Sequence, residues 1–319
     1  MRVLITGADG FAGHHLIQEL ASSGYELHGT SFRPFEAAGV PVTYHTADLR
    51  DEQFVSDLLA SLEPDQIYHL AAQASPARSY SAVWSTLENN IRAQLNVILG
   101  CLKNGLKPRM LVISSGDIYG DQTGQKPATE DMPLRPSNPY SVSKVTQDML
   151  ALQYFLSNDL PIMRARPFNH LGPRQSPGFV APDFALQIAK IEAGQQQPTI
   201  RVGTLSAERD FTDVRDVVHA YHLIMERGVP GDVYNIASGK TWTIREVLDM
   251  MLSLSDVEIS VESDTMRLRP GGTSKVWGDA THLREVTGWQ PTIPLEQTVR
   301  DVLEDCRQRV RATLTEQPK

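Results

Sequence analysis

Tyr140 and Lys144 stand four residues apart in the stretch Arg135-Pro-Ser-Asn-Pro-Tyr-Ser-Val-Ser-Lys144. Asn138 is a favoured helix N-cap and Pro139 suits the first helical position, which predicts a helix from there through Tyr154. Residues four apart on a helix share one face. An ammonium beside a phenol favours the phenolate and pulls the tyrosine pKa down from about 10. The chemistry of such a pair is proton donation or acceptance. A hydroxyl can join it, because the strand-like run Met110-Leu-Val-Ile-Ser114 leads directly into Ser115-Gly116-Asp117. A serine at the carboxyl end of a strand can donate to a carbonyl on which negative charge builds. Alone it is an ordinary turn residue, so its reading depends on the other two.

A second constellation points to a bound dinucleotide. The run Val3-Leu-Ile-Thr6 passes into Gly7-Ala-Asp-Gly10-Phe-Ala-Gly13 and then the helical His14 to Leu20. Glycines between a first strand and a helix allow a tight turn and close approach of a pyrophosphate to the helix N-terminus, which places Gly7, Gly10, Phe11, Ala12 and Gly13 against the cofactor. An NAD-specific site would carry an acid about 20 residues on. Here the second strand ends in Thr30-Ser31-Phe32-Arg33, with none. Ser31 and Arg33 suit a 2′-phosphate, so NADP(H) is the expected cofactor, with NAD(H) possible. Asp48 and Leu49, after an extended segment, can border the adenine. Leu70, Ala71 and Ala72 offer small side chains where the cofactor backbone passes.

Positioning these groups is the work of alternating strands and helices. Val3–Thr6, Glu26–Thr30, Gln66–Leu70 and Met110–Ser114 read as strands, with room between them for crossover helices. That rhythm predicts a Rossmann-type, doubly wound parallel α/β sheet with ligands at the carboxyl ends of its strands. A further strand, Pro161–Arg166, follows the Tyr140 helix. From Phe168 onward prolines punctuate shorter elements. Residues 1–167 are therefore expected to bind the cofactor and 168–319 mainly the substrate. The two are interleaved, because a segment near 210–240 returns to the first sheet through the buried-strand pattern Asp232–Ala237.

The formal net charge of the 319 residues is −8, which excludes general affinity for nucleic acid or anionic membranes. No apolar run approaches a membrane span, and the first residues do not read as a signal peptide. Cys101 and Cys306 are the two cysteines, consistent with reduced thiols in a cytoplasmic protein. The histidines lack metal-ligand spacing, so no metal is expected, and His170 reads as a pocket wall.

The glycine turn, the Ser115 strand end and Tyr140-x-x-x-Lys144 together resemble the extended short-chain dehydrogenase/reductase family. The stretches Arg166–Val180, Gly203–Tyr221 and Arg267–Pro270 are similar to its members that act on GDP-linked hexoses. The resemblance implies that Tyr140 is the general acid, that Lys144 also binds the nicotinamide ribose, and that Ser115 orients the substrate carbonyl. It adds Pro167 to the cofactor site. For the sugar nucleotide it implies Ser75, Asp117, Asn169, Phe179, Val180, Arg209, Arg267 and Arg269. It further implies a homodimer through the Tyr140 helix and the one over Leu87–Leu102. The dehydratases resembled carry glutamate where Asp117 stands, and the family's Arg-Pro-x-Glu reads Arg269-Pro-Gly-Gly272 here. The expectation is a reductase of the 4-keto group of a GDP-6-deoxyhexose. The alternatives are a 4,6-dehydratase and a non-catalytic NADP-binding sensor or scaffold.

Overall fold

The structure is a computed structural model that describes residues 1–35, 39–122, 125–265 and 274–315. Its first half runs β1 (Arg2–Thr6), α1 (Phe11–Leu20), β2 (Glu26–Ser31), β3 (Thr43–Thr46), α2 (Glu52–Leu62), β4 (Gln66–His69), α3 (Pro76–Ser81), α4 (Val83–Lys103) and β5 (Arg109–Ile113). A 3₁₀ turn, Gly116–Tyr119, precedes α5 (Pro139–Asn158) and β6 (Ile162–Pro167). Then come β7 (Asn169–Leu171), α6 (Val180–Glu192), β8 (Thr199–Val202), β9 (Glu208–Asp213), α7 (Val214–Arg227) and β10 (Val233–Ile236). The chain closes with β11 (Thr241–Thr243), α8 (Ile244–Leu252), β12 (Ser260–Ser263), β13 (Lys275–Val276), α9 (Thr281–Thr287) and α10 (Leu295–Thr315).

Seven strands form one parallel sheet in the order β10-β6-β5-β4-β1-β2-β3. Side chains alternate between its faces because strand residues have a period of two. Val3 and Ile5 pack with α1 and α7 on one side, while Leu4 packs with α2, α4 and α5 on the other. The sheet is thus buried on both faces, as its continuous apolar runs require. β10 comes from the second half and pairs with β6 from Val233↔Arg164 to Ile236↔Pro167. A second core joins α6, α8 and α10 beside a sheet in which β9 pairs with β7, β11 and β13. No described helix is long and apolar enough to cross a membrane.

α5 begins as the sequence predicts. Asn138 caps it, its side chain accepting from the Ser141 N–H at 2.8 Å, and Pro139 is its first residue. It is locked to α4 by buried amides: Gln94 donates to the Gln147 carbonyl at 2.8 Å, Gln147 to the Asn90 carbonyl at 2.9 Å, and Asn90 to Ser143 Oγ at 2.9 Å. Its other anchor is Asp148, fully buried, which accepts from Arg164 at 2.9 Å and from Arg166 Nε at 2.8 Å. Arg166 also donates to the Tyr119 hydroxyl at 2.7 Å, and that hydroxyl donates to Asn235 Oδ1 at 2.8 Å. One network therefore joins α5, β6, the 3₁₀ turn and β10.

Removing the carboxylate would strand two buried guanidinium groups. Asp148→Ala is expected to destabilise the chain by about 3–5 kcal/mol. Urea unfolding measures it, and a loss under about 1 kcal/mol would show that the network is not an anchor.

Candidate active site

A cleft of about 650 Å³ opens at the carboxyl ends of the parallel strands. Its floor is the glycine turn. Gly7 has φ +69°, and a Cβ there would lie 2.9 Å from the Ala71 Cα. A Cβ on Gly13 would press on the Gly7 carbonyl oxygen and come within 2.9 Å of the Ala8 Cα. Side chains are thus excluded where backbone must approach backbone and ligand. The Gly7 N–H donates to Thr30 Oγ1 at 3.3 Å and the Ala71 N–H to Thr6 Oγ1 at 3.2 Å, stitching the turn to β2 and to the loop after β4. No side chain caps α1 at Gly10, so the N-terminal amides of that helix face the cleft without an internal competitor. This cradle fits a dinucleotide pyrophosphate.

Phe11, Ala12, Ser31, Asp48, Leu49, Leu70, Ala72 and Pro167 all line the same cleft. Arg33 stands outside the lining and lies close enough to Asp9, which does line it, to act on that carboxyl through its charge. The Ser31 hydroxyl donates to the Arg33 carbonyl at 2.6 Å, so it fixes the backbone of that residue. Asp48 is gripped by Arg50 at 2.7 Å and held below the usual carboxylate range, chiefly by that hydrogen bond. Arg50 in turn donates to Asn89 of α4 at 3.0 Å. Sequence reasoning passed over Arg50 and Asn89, whose contact joins residues 39 apart.

Ser115, Asp117, Tyr140 and Lys144 converge at the far end of the cleft. The Ser115 hydroxyl accepts from the Asp117 N–H at 3.2 Å and lies near enough to the Tyr140 phenol to ease its ionisation. Burial raises the Tyr140 pKa above its ordinary value; the Asp117 charge adds to the rise and the nearby Ser115 hydroxyl opposes it. Burial also lowers Lys144 to about 7, and its Nζ donates to the Ile113 carbonyl at 2.7 Å. The expectation that the ammonium pulls the phenol down is therefore corrected. Both groups sit in a dry site that disfavours their charged forms, which keeps Tyr140 protonated at neutral pH.

Asn169 and Phe179 line the cleft beside His170. Ser75 does not; its hydroxyl caps α3 by accepting from the Arg78 N–H at 3.3 Å. Val180 starts α6 and packs on the second core. Arg209, on β9, donates to the Glu208 carbonyl at 2.7 Å and is not part of the lining. Arg267 and Arg269 lie outside the described residues. Gln73 and Arg78 line the cleft and went unrecognised, although the Ser75-Pro76 helix start three residues before Arg78 was a readable signal.

The lowered Lys144 value has a thermodynamic sign. Unfolding returns this amine to its ordinary pKa of 10.5, so between pH 7 and 10.5 the unfolded chain binds more protons and stability rises with pH through that window. The stability difference between wild type and Lys144→Met, from denaturant titrations at several pH values, is expected to shift toward wild type as pH rises from 7 to 10.5. A difference independent of pH would show that the amine is not perturbed.

Known proteins share the sequence and the fold of this chain. Residues 4–302 match the GDP-mannose 4,6 dehydratase family. GDP-6-deoxy-D-mannose reductase of Pseudomonas aeruginosa is 35% identical over 97% of this chain and 98% of its own length. UDP-glucose 4-epimerase of Mycolicibacterium smegmatis is 30% identical over 97% of this chain and 99% of its own. Among solved structures, RMD from Pseudomonas aeruginosa complexed with NADPH superposes with a TM-score of 0.85 at 34% identity, covering 97% of this chain and 99% of that one. The chain belongs to the GDP-mannose 4,6-dehydratase family of extended short-chain dehydrogenases/reductases.

Proposed function

We propose that the protein reduces the 4-keto group of GDP-4-dehydro-6-deoxy-D-mannose with NADPH to give GDP-D-rhamnose. The observation that carries this reading is the convergence of Ser115, Tyr140 and Lys144 at the end of one cleft, flanked by Asp117. It is supported by the similarity to a GDP-6-deoxy-D-mannose reductase. NADPH, when bound, supplies a hydride for C4. Tyr140 delivers its proton to the oxygen that gains charge, and its raised pKa ensures that the proton is there to give. Ser115 steadies that oxygen through its hydroxyl. Lys144 holds a ribose hydroxyl, and Arg33 at the rim favours a 2′-phosphate. Residues 1–167, with the returning segment near 210–240, serve the cofactor, and 168–319 mainly the sugar nucleotide. Asp117 is one methylene shorter than the glutamate of the resembled dehydratases, which weighs for reduction over abstraction of the C5 proton.

We further propose a cytoplasmic homodimer through α4 and α5. Trp84 is 75% exposed and Leu156 70%, and with Val142 and Met149 they give these two helices an apolar outer face. Sedimentation velocity should show a dimer for wild type and a monomer for Trp84→Asp combined with Met149→Asp; a monomeric wild type would refute it.

The activity test offers GDP-mannose alone and, separately, the keto sugar with NADPH, following absorbance and identifying the product by NMR. NADPH oxidation is expected only with the keto sugar. Tyr140→Phe should lower turnover by about 10²–10⁴ with NADPH binding retained, and Arg33→Ala should lower the NADPH to NADH ratio of kcat/KM. Conversion of GDP-mannose without net cofactor use would establish a dehydratase, and NADPH binding with no reaction would establish a sensor or scaffold.

A further inference from the structure

The cleft lining holds the carboxylates Asp9, Asp48 and Asp117 and the cations Arg50, Arg78 and Lys144. Their charges nearly cancel, whereas the ligands of the proposed reaction are polyanions. Two of the cations are already engaged. Arg50 is bonded to Asp48 and Asn89, and the Lys144 amine to the Ile113 carbonyl. Among the described residues the Arg78 guanidinium has no hydrogen-bond or ion-pair partner.

Arg78 is also held in place by its backbone. Asn90 clamps Gln73, accepting from its N–H at 2.7 Å and donating to its carbonyl at 3.3 Å. The loop then turns into α3 at the Ser75 cap, which bonds the Arg78 N–H itself. Ser79 on the same short helix is fully buried, so one side of α3 is anchored while Arg78 stands exposed on the cleft wall. We infer that Arg78 is a phosphate-binding residue that grips a nucleotide diphosphate in this cleft. The inference rests on the proposed function. It adds a cation to the arginines that the family resemblance implied for the sugar nucleotide, Arg209, Arg267 and Arg269. The shared chemistry is a diphosphate, carried by the cofactor or by the sugar nucleotide.

Isothermal titration of the full chain with NADPH, and separately with GDP, tests it for wild type, Arg78→Ala and Arg78→Lys at two salt concentrations. Arg78→Ala is expected to weaken one ligand by roughly 10- to 100-fold, the range of a lost charge-assisted hydrogen bond. Arg78→Lys should recover part of the loss, and the alanine variant should show a shallower salt dependence, with an unchanged thermal midpoint. Loss confined to GDP assigns Arg78 to the substrate diphosphate, and loss confined to NADPH assigns it to the cofactor. Unchanged dissociation constants for both ligands overturn the inference and leave the proposed function standing. Failure of wild type to bind either ligand overturns that function and the inference with it.

Discussion

The carboxylate of Asp148 is the fixed point of this molecule. It is fully buried between Arg164 and Arg166, and a charge in that position is tolerable only because two guanidinium groups compensate it. Through Arg166 it reaches Tyr119 and through Tyr119 it reaches Asn235. The segments so joined are those that carry the site: α5 with Tyr140 and Lys144, the 3₁₀ turn just after Ser115, and β6 just before Asn169. An apolar core could bury the same volume at less desolvation cost, but it would not specify the rotation of α5 about its axis. Directional bonds to two neighbouring strand residues do.

Desolvation is the second organising effect. The dry end of the cleft keeps Tyr140 neutral and makes the Lys144 proton easy to lose, two opposite shifts from one cause. Sequence reasoning considered only the attraction between the pair. It could not include the Ile113 carbonyl that takes up the ammonium, because that contact crosses from α5 to the end of β5.

Features determined locally were legible. Asn138-Pro139 announced the start of α5, and the glycine turn needed nothing but its neighbours to be recognised. The pattern Asp232–Ala237 announced a strand, and Val233–Ile236 is one, because buried parallel strands are apolar along their length. What escaped was the partner of each polar group. Ser75 reads equally well as a substrate contact and as a helix cap, and it caps. Arg33 and Arg50 are both arginines near the second and third strands, yet Arg50 lines the cleft and Arg33 does not. A charge is visible in a sequence, whereas the direction in which it points is decided by packing between distant elements.

The late arrival of β10 has a consequence for how the protein is made. β6 is complete at Pro167, but the strand that covers its edge begins at Val233. During synthesis at about 5–20 residues per second the ribosome spends several seconds on the intervening chain. For that interval β6 offers a row of unpaired amides and carbonyls, and the Tyr119 hydroxyl waits for Asn235. Bare edges of this kind invite pairing with other chains. The N-terminal half, although it holds the entire glycine turn and the Tyr140 pair, therefore leaves the β6 edge of its sheet uncovered. Polypeptides released before Val233 would carry that bare edge into solution, open to strand pairing with other chains.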